Sequence, residues 1–454
     1  MRKLLLISCL LAFTASLNLS AQDTLRYHIE LKDKSATTFS LSHPEEFLSA
    51  RALHRRQKQH LSVDSTDLPV PASYIKAIQQ TGVKVLVTSK WENFVTVSCN
   101  DTLKIDQIRN LPFVKSASKV WKAPEFVMHS SNRDSIISDL TVNPDTIYGT
   151  AYGQIHVSKA DKLHEAGFKG QGMMIAVVDG GFHNLDRIPV LDNVKVIGTK
   201  DFVNPNSDIY AEATHGLGVL SCMATNKPGV MIGTAPEASY LLLRSEDSDS
   251  EYPIEQDFWV AAVEYADSVG IDLINTSLGY NEFDDSSMDF KLRDLDGKGS
   301  VISRAASRLA DKGIILVCSA GNSGNSVWKK ITPPADAENV LTVGAMQWQT
   351  GVIASFSSVG NTQDGRIKPD VVAAGMRADV INSHGSQGKG NGTSFASPIM
   401  CGMIACLWQA CPTLTAKEVI ELVRQFGDRA AYPDNVYGYG IPDMWSAYQS
   451  YINR

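Results

Sequence analysis

Beyond residue 21 the 454-residue chain has no apolar run long enough to span a bilayer, which takes about 20 residues as a helix. It has no surplus of basic charge; a formal net charge of -7 gives nucleic acid no electrostatic reason to bind. It lacks a glycine-rich phosphate loop between a strand and a helix, so a nucleotide cofactor is not expected. Cysteine is scarce, at seven residues, and none is grouped with histidines at a spacing that suits structural zinc. Cys9 falls in the N-terminal apolar run. Cys99, Cys222, Cys318, Cys401, Cys406 and Cys411 lie mostly in apolar segments, where a buried free thiol is the ordinary state. What remains is a hydrophobic content of 43% with 20% charged residues, the composition of a soluble globular chain with one large domain and a smaller one.

The N-terminus has its own pattern. Met1-Arg2-Lys3 is basic, Leu4 to Leu17 is apolar, and Leu19-Ser20-Ala21 is small at its end. Residues 1–21 read as a secretory signal peptide, which predicts an exported chain, secreted or periplasmic, without a transmembrane segment once the signal is removed. Residues 22–122 follow the order strand, helix, strand, strand, helix, strand, with one small helix added. That order predicts a ferredoxin-like split βαβ unit. Its first helix is expected to start at Ser42-His43-Pro44-Glu45, a cap followed by a glutamate. Residues 123–146 carry Pro, Ser, Asn and Asp without periodicity and read as a linker. The N-terminal unit is basic and the remainder acidic, a difference that favours docking of one on the other.

From 147 to 454 short apolar strands alternate with helical segments. This predicts an α/β domain whose mostly parallel sheet is covered by helices on both faces, with functional groups at the carboxyl ends of the strands. Asp179, Ser277-Leu278-Gly279 and Ser319-Ala320-Gly321-Asn322 all fall at predicted strand ends, whereas His215 and Ser394 fall at predicted helix starts.

Ser394 lies in Asn391-Gly392-Thr393-Ser394-Phe395-Ala396-Ser397-Pro398. The helix that follows is apolar on nearly every face, so it is expected to be buried. At its N-terminus, free N–H groups favour developing negative charge. A serine hydroxyl is a poor nucleophile unless a base lies within hydrogen-bond reach and a third group orients that base. His215 suits the base and Asp179 the orienting group. The amide of Asn322 and the backbone N–H of Ser394 suit an oxyanion. Taken singly, each has a plainer reading: Ser394 as a helix cap, His215 as a structural histidine, Asp179 as a turn residue and Asn322 as part of a loop. Their combination in these contexts favours catalysis.

Asp179-Gly180-Gly181, His215-Gly216, Ser277-Leu278-Gly279, Ala320-Gly321-Asn322 and Gly392-Thr393-Ser394 together resemble the ordered blocks of the subtilisin-like serine proteases, over about 147 to 445. The chain departs from the usual blocks at Gly180 and at Leu217-Gly218. The resemblance implies a subtilisin-like three-layer domain and an endopeptidase with Asp179, His215 and Ser394 as catalytic triad and Asn322 in the oxyanion hole. Ser277, Leu278 and Gly279 would then pair with an extended polypeptide substrate, and Ser319, Ala320 and Gly321 would line the primary specificity pocket. It further implies that residues 22–122 act as an intramolecular inhibitory propeptide, with a maturation site in 123–146. The layout is similar to that of exported subtilases of Bacteroidetes-type bacteria. No cofactor is needed for the chemistry. A structural calcium ion would fit the habit of the family, and the aspartates Asp284, Asp285, Asp289, Asp294 and Asp296 are candidate ligands. The acidic stretch Glu246-Asp247-Ser248-Asp249-Ser250-Glu251 suggests a preference for basic side chains upstream of the cut. The competing reading is a catalytically silent peptide-binding protein on the same fold.

Overall fold

The computed structural model describes residues 24–123, 133–143 and 146–453. The expected signal segment and much of the expected maturation linker lie outside these residues. The N-terminal unit consists of β1 (Leu25–Leu31), α1 (Ala50–Lys58), α2 (Ala72–Gln80), β2 (Lys84–Ser89), β3 (Phe94–Cys99), α3 (Thr102–Arg109) and β4 (Val114–Lys122). The four strands form an antiparallel sheet in the order β2-β3-β1-β4, the ferredoxin-like arrangement. Alternation in β1 sends Tyr27, Ile29 and Leu31 into a small core with Val95, Val97, Ile105 and Ile108. The first helix does not begin at Ser42-His43. Pro44–Glu46 makes only a single 3-10 turn, with no side-chain cap. α1 instead starts after Ser49, whose hydroxyl accepts the Ala52 N–H at 3.1 Å and satisfies a donor that the first turn would leave open.

The larger unit is a three-layer α/β domain. Its strands are β5 (Met174–Asp179), β6 (Lys195–Asp201), β7 (Ser239–Arg244), β8 (Leu273–Thr276), β9 (Ile315–Ser319), β10 (Leu341–Gln347) and β11 (Val371–Ala374). All pair in parallel, in the order β6-β7-β5-β8-β9-β10-β11, and the short edge strand Val352–Ile353 runs antiparallel to β10. The inner strands are apolar on both sides because helices cover both faces, whereas β6, at the end of the sheet, is largely exposed. Ile175, Val177, Leu242 and Val317 point to one core and Ala176, Val178, Leu241 and Leu316 to the other. The first face carries α4 (His215–Ala224), α7 (Thr393–Ala410) and α8 (Ala416–Gln425); the second carries α5 (Ile254–Val269) and α6 (Val301–Arg308). Beyond α6 the chain closes in a 3-10 turn at Ala310–Lys312. All six cysteines of the described residues are buried as thiols, outside any disulfide. No helix among the described residues is long and apolar enough to cross a membrane.

The N-terminal unit docks on α5, and charge complementarity is visible at the contact. Asp267 of α5 receives Arg55 Nη2 at 2.6 Å, Arg56 Nη2 at 3.0 Å and Lys90 Nζ at 3.3 Å. Glu264, one turn earlier, accepts the backbone N–H groups of Lys90 and Trp91 at 2.8 and 2.9 Å. Asp257 meets His28 Nδ1 at 2.8 Å and Thr96 Oγ1 at 2.6 Å. Beyond the N-terminal sheet, the segment 133–143 is not loose. Ile137 N donates to His384 O at 2.8 Å and Asn143 N to Gly229 O at 2.7 Å, so this stretch of the expected linker lies along the larger domain.

Candidate active site

β5 ends at Asp179, and its carboxylate is buried with 3% of the side chain exposed. Its Oδ1 accepts the Gly180 N–H at 2.8 Å and His215 Nδ1 at 2.8 Å, while Oδ2 lies 3.1 Å from the same ring nitrogen. A carboxylate on Nδ1 fixes the tautomer: Nδ1 carries the proton and Nε2 is left as the acceptor. The negative charge of Asp179 raises the His215 pKa above its ordinary value; burial opposes the rise, and Glu246 adds to it. His215 can come this close because α4 has glycine next. A Cβ on Gly216 would stand 2.4 Å from Gly181 O and 2.9 Å from Asp179 Cβ.

Ser394 is the second residue of α7. The ring of Phe395, the next residue, lies 6.0 Å from the His215 ring, so the starts of α4 and α7 adjoin. The hydroxyl of Ser394 donates to Ser277 O at 3.2 Å. In the opposite direction, Ser277 Oγ donates to Ser394 O at 2.8 Å. Pro398 explains that second bond. It sits in the second turn of α7 rather than at its start, and it has no N–H to offer the Ser394 carbonyl four residues back. Ser277 supplies the missing donor. Asn275 extends the brace, donating from Nδ2 to Ser277 Oγ at 3.0 Å and accepting Ser397 Oγ at 2.8 Å.

Asn322 lies beyond the end of β9. Its Oδ1 accepts Thr393 N at 2.9 Å and Thr393 Oγ1 at 3.0 Å. Thr393 Oγ1 in turn accepts Gly321 N at 3.2 Å. With Oδ1 committed, Nδ2 is the face of the amide that can donate outward. A Cβ built on Gly392 would meet Asn322 Nδ2 at 3.7 Å and Ser394 N at 3.6 Å, so the two donors lie near one point beside that glycine. This suits an anion held by one side-chain and one backbone N–H. Thr393 was not singled out in the sequence, although its place between Gly392 and Ser394 was the available signal.

The expected substrate segments flank Ser394. Ser277 is buried, and Leu278 and Gly279 are half-buried at the surface of the cleft. Ser319 closes β9, Ala320 N is tied to Val343 O at 3.0 Å, and Gly321 adjoins Thr393. The acidic stretch is divided. Glu246 is bonded by the Tyr280 hydroxyl, and burial pushes its carboxyl up to about 8. Burial and Asp284 push Glu251 up to about 7. Trp121 of the N-terminal sheet donates to Ser250 Oγ at 3.1 Å, so the docked unit reaches this stretch. The aspartates considered for calcium serve their own loops: Asp289 accepts Phe283 N, Asp294 accepts Lys291 N, and Asp296 accepts Lys298 N and Gly299 N, each at 2.8 Å. Among the described residues no three acidic, histidine or cysteine side chains converge as a metal site.

Comparison with known proteins agrees with this arrangement. The model of the subtilase family matches residues 170–440. That of the Bacteroidota peptidase S8 propeptide domain matches residues 26–135. Subtilisin DY of Bacillus licheniformis is 30% identical over 275 residues, 59% of this chain and 88% of that protein. Serine protease AprX of Bacillus subtilis (strain 168) is 31% identical over 300 residues, 60% of this chain and 65% of that protein. Subtilisin NAT of Bacillus subtilis subsp. natto is 30% identical over 292 residues, 62% of this chain. The match spans 66% of the length of Subtilisin NAT, and so just under two thirds of it and of AprX. Among solved structures, the MycP3 protease from the type VII (ESX-3) secretion system superposes with a TM-score of 0.53 at 21% identity, covering 72% of this chain and 98% of that one, a likeness of fold.

Proposed function

The chain belongs to the subtilase family and carries a propeptide domain of that family, and from that premise we propose that it is an exported serine endopeptidase made as a self-processing zymogen. The observation that carries this reading is the pairing of His215 Nδ1 with buried Asp179 at 2.8 Å, beside a serine that opens a helix next to Asn322. A polypeptide substrate binds in extended form along Ser277–Gly279. Ser394 Oγ leaves Ser277 O, gives its proton to His215 Nε2 and attacks the carbonyl carbon. Asn322 Nδ2 and Ser394 N receive the oxyanion. His215 then protonates the leaving amine, and water hydrolyses the acyl-enzyme. No cofactor enters these steps. A structural calcium ion would show as a fall in melting temperature on chelation. A preference for basic side chains upstream of the cut would rest on Asp247 and Asp249, because Glu246 and Glu251 have raised pKa values; a peptide-library profile tests it.

The N-terminal unit is the inhibitor in this reading, released by a cut within 123–146, and the signal at 1–21 directs export to the periplasm or the medium. Autoprocessing is the test. Residues 22–454 are expressed with native Ser394 and with Ser394→Ala, and intact masses are followed over time. The native form is expected to be cut and the Ser394→Ala form to stay whole. A native form that is folded, remains whole and fails to label with a fluorophosphonate would favour a silent peptide-binding protein. Labelling with hydrolysis of small esters but not casein would favour an esterase.

A further inference from the structure

Residues 123–146 have the composition of a linker, but from Arg133 to Asn143 their polar groups are bonded to the larger domain. Asp134 O accepts Asn184 Nδ2 at 2.9 Å, and Asp134 Oδ2 accepts Ser383 Oγ at 2.7 Å. The Asp134 N–H donates to His183 Nε2 at 3.1 Å, and His183 extends the contact by donating from Nδ1 to Glu212 O at 3.0 Å. Farther along, Asp139 N donates to Ser386 Oγ at 2.9 Å and Asp139 O accepts Gln387 N at 3.1 Å. Ile136 and Leu140 pack against the core beneath α4 and α7. A linker that is to be shed can leave its backbone groups to water. Here Asn184 has no exposed surface, so losing Asp134 O would leave a buried amide donor short of a partner.

Asp179, His215 and Ser394 come from three separate segments, and this strap touches a neighbour of each. His183 and Asn184 follow Asp179, and Glu212 precedes His215. Ser383 and Ser386 lie in the turn of the hairpin Ala378–Ile381 with Gln387–Gly390, which leads to Ser394. The first two segments are already laced together, since Phe182 N donates to Ile209 O and Asn184 N to Tyr210 O, each at 2.9 Å. Arg133 spans that seam. Its Nη1 donates to both carboxylate oxygens of Asp186 at 2.9 Å, and its Nη2 donates to Asp208 Oδ2. Without the guanidinium, two like charges would face each other across the seam and push its sides apart.

We propose that residues 133–143 stay on the mature enzyme as a strap, and that Arg133 is a positioning residue that holds the segments carrying Asp179 and His215 in register. The inference rests on the serine-endopeptidase reading. It places the maturation cut before Arg133 rather than after Asn143, because a cut after Asn143 would take the strap away with the N-terminal unit. The physical ground is the geometry of the pair. His215 Nδ1 meets Asp179 at 2.8 Å only while the two segments keep their relative position. A displacement of about 1 Å at the reacting groups, caused by a change far from them, can cost about 100-fold in rate.

The experiment lets residues 22–454 mature and identifies, by intact mass, the species that labels with a fluorophosphonate. That species is expected to keep residues 133–143. A labelled, fully active species that begins after Asn143 would overturn the strap. Arg133→Ala is expected to lower kcat per labelled site by about 10-fold with little change in KM, because Arg133 bonds to Asp186 and Asp208 and not to the segments that would hold substrate. Arg133→Lys keeps a charge between the two aspartates and is expected to recover most of that loss. Asp208→Ala breaks the same bridge from the larger domain and leaves the linker sequence native, so it decides the matter if Arg133→Ala is not cut or does not fold. It is expected to lower kcat in the same direction. Melting temperatures are taken alongside. Native kcat per labelled site in the alanine variants, even at a lower melting temperature, would make Arg133 a stabilising contact only and overturn its positioning role, with the endopeptidase reading left standing. Absence of both labelling and peptide cleavage in the native chain would overturn that reading itself.

Discussion

Ser277 and Ser394 are bonded to each other twice: Ser277 Oγ donates to Ser394 O at 2.8 Å, and Ser394 Oγ donates to Ser277 O at 3.2 Å. The first bond completes a carbonyl that Pro398 leaves without a helical partner, so it braces the turn that carries Ser394. The second holds the hydroxyl at rest. Ser277→Ala removes the brace and leaves a buried carbonyl unpaired, at a cost of about 1–3 kcal/mol. The expected outcome is a lower denaturation midpoint together with slower fluorophosphonate labelling of Ser394. A variant that is destabilised but labels at the native rate would show that Ser277 stabilises the fold without positioning the serine.

The pH dependence follows from Asp179. Its charge raises the His215 pKa, and in the proposed reaction only neutral His215 can take the Ser394 proton. Raising the pKa of a base moves the acid limb of activity upward, so half-maximal kcat/KM is expected above pH 6.5. Asp179→Asn removes that charge and the hold on the tautomer. Its kcat is expected to fall by about 10⁴-fold, the scale seen when a triad carboxylate is neutralised. Stopped-time assays from pH 5 to 9 check the limb, and the same assays on Asp179→Asn check the loss.

Asn322 is held by Thr393 through two contacts, at 2.9 and 3.0 Å, which turn its Nδ2 outward. Asn322→Ala is expected to lower kcat by about 10²- to 10³-fold with little change in KM, because an oxyanion donor acts on the transition state. Thr393→Val removes the side-chain contact and keeps the backbone one. It is expected to lose activity in the same direction, by less than Asn322→Ala. A rise in KM with unchanged kcat in either variant would place Asn322 in ground-state binding instead.

The elements legible in the sequence were those whose periodicity is imposed by burial. β5 and α5 are apolar where they meet a core. Asp179, His215, Ser277, Asn322 and Ser394 were legible because each stands next to glycine or at an element end, where a side chain can reach a cleft. Thr393 was not. It acts through its contact with Asn322, distant in sequence, and a threonine between a glycine and a serine carries no local mark of that. Ser42-His43 misled for the opposite reason: the local signal for a helix cap was present, but Pro44–Glu46 made a single turn, and Ser49 provided the cap instead. The acidic stretch misled in part as well, since burial raises the pKa of Glu246, which a charge count cannot show.

The contact between the two units makes a last prediction. Asp267 has no exposed side-chain surface and faces Arg55, Arg56 and Lys90, which are 4%, 2% and 10% exposed. Burial works against its charge, yet Lys90, Arg55 and Arg56 outweigh that and hold the carboxyl at about 2. A depressed carboxyl stabilises the docked state above its unfolded value of about 3.9, and the contribution is lost as the pH falls toward 2. Asp267→Ala takes the paired carboxylate from buried Arg55 and Lys90, while Arg56 keeps Asp67 at 2.9 Å, and is expected to cost about 3–5 kcal/mol. Replacing the acid and its two arginines together, as Asp267→Leu with Arg55→Met and Arg56→Leu, removes the acid with two of its three cations, leaving Lys90 on Ser268 Oγ, and is expected to cost less than the single change. Urea denaturation of each form in a Ser394→Ala background, where self-cleavage does not interfere, measures the difference. If the single and triple variants lose the same stability, the arginines are satisfied by other partners, and Asp267 is not the charge that holds the N-terminal unit on α5.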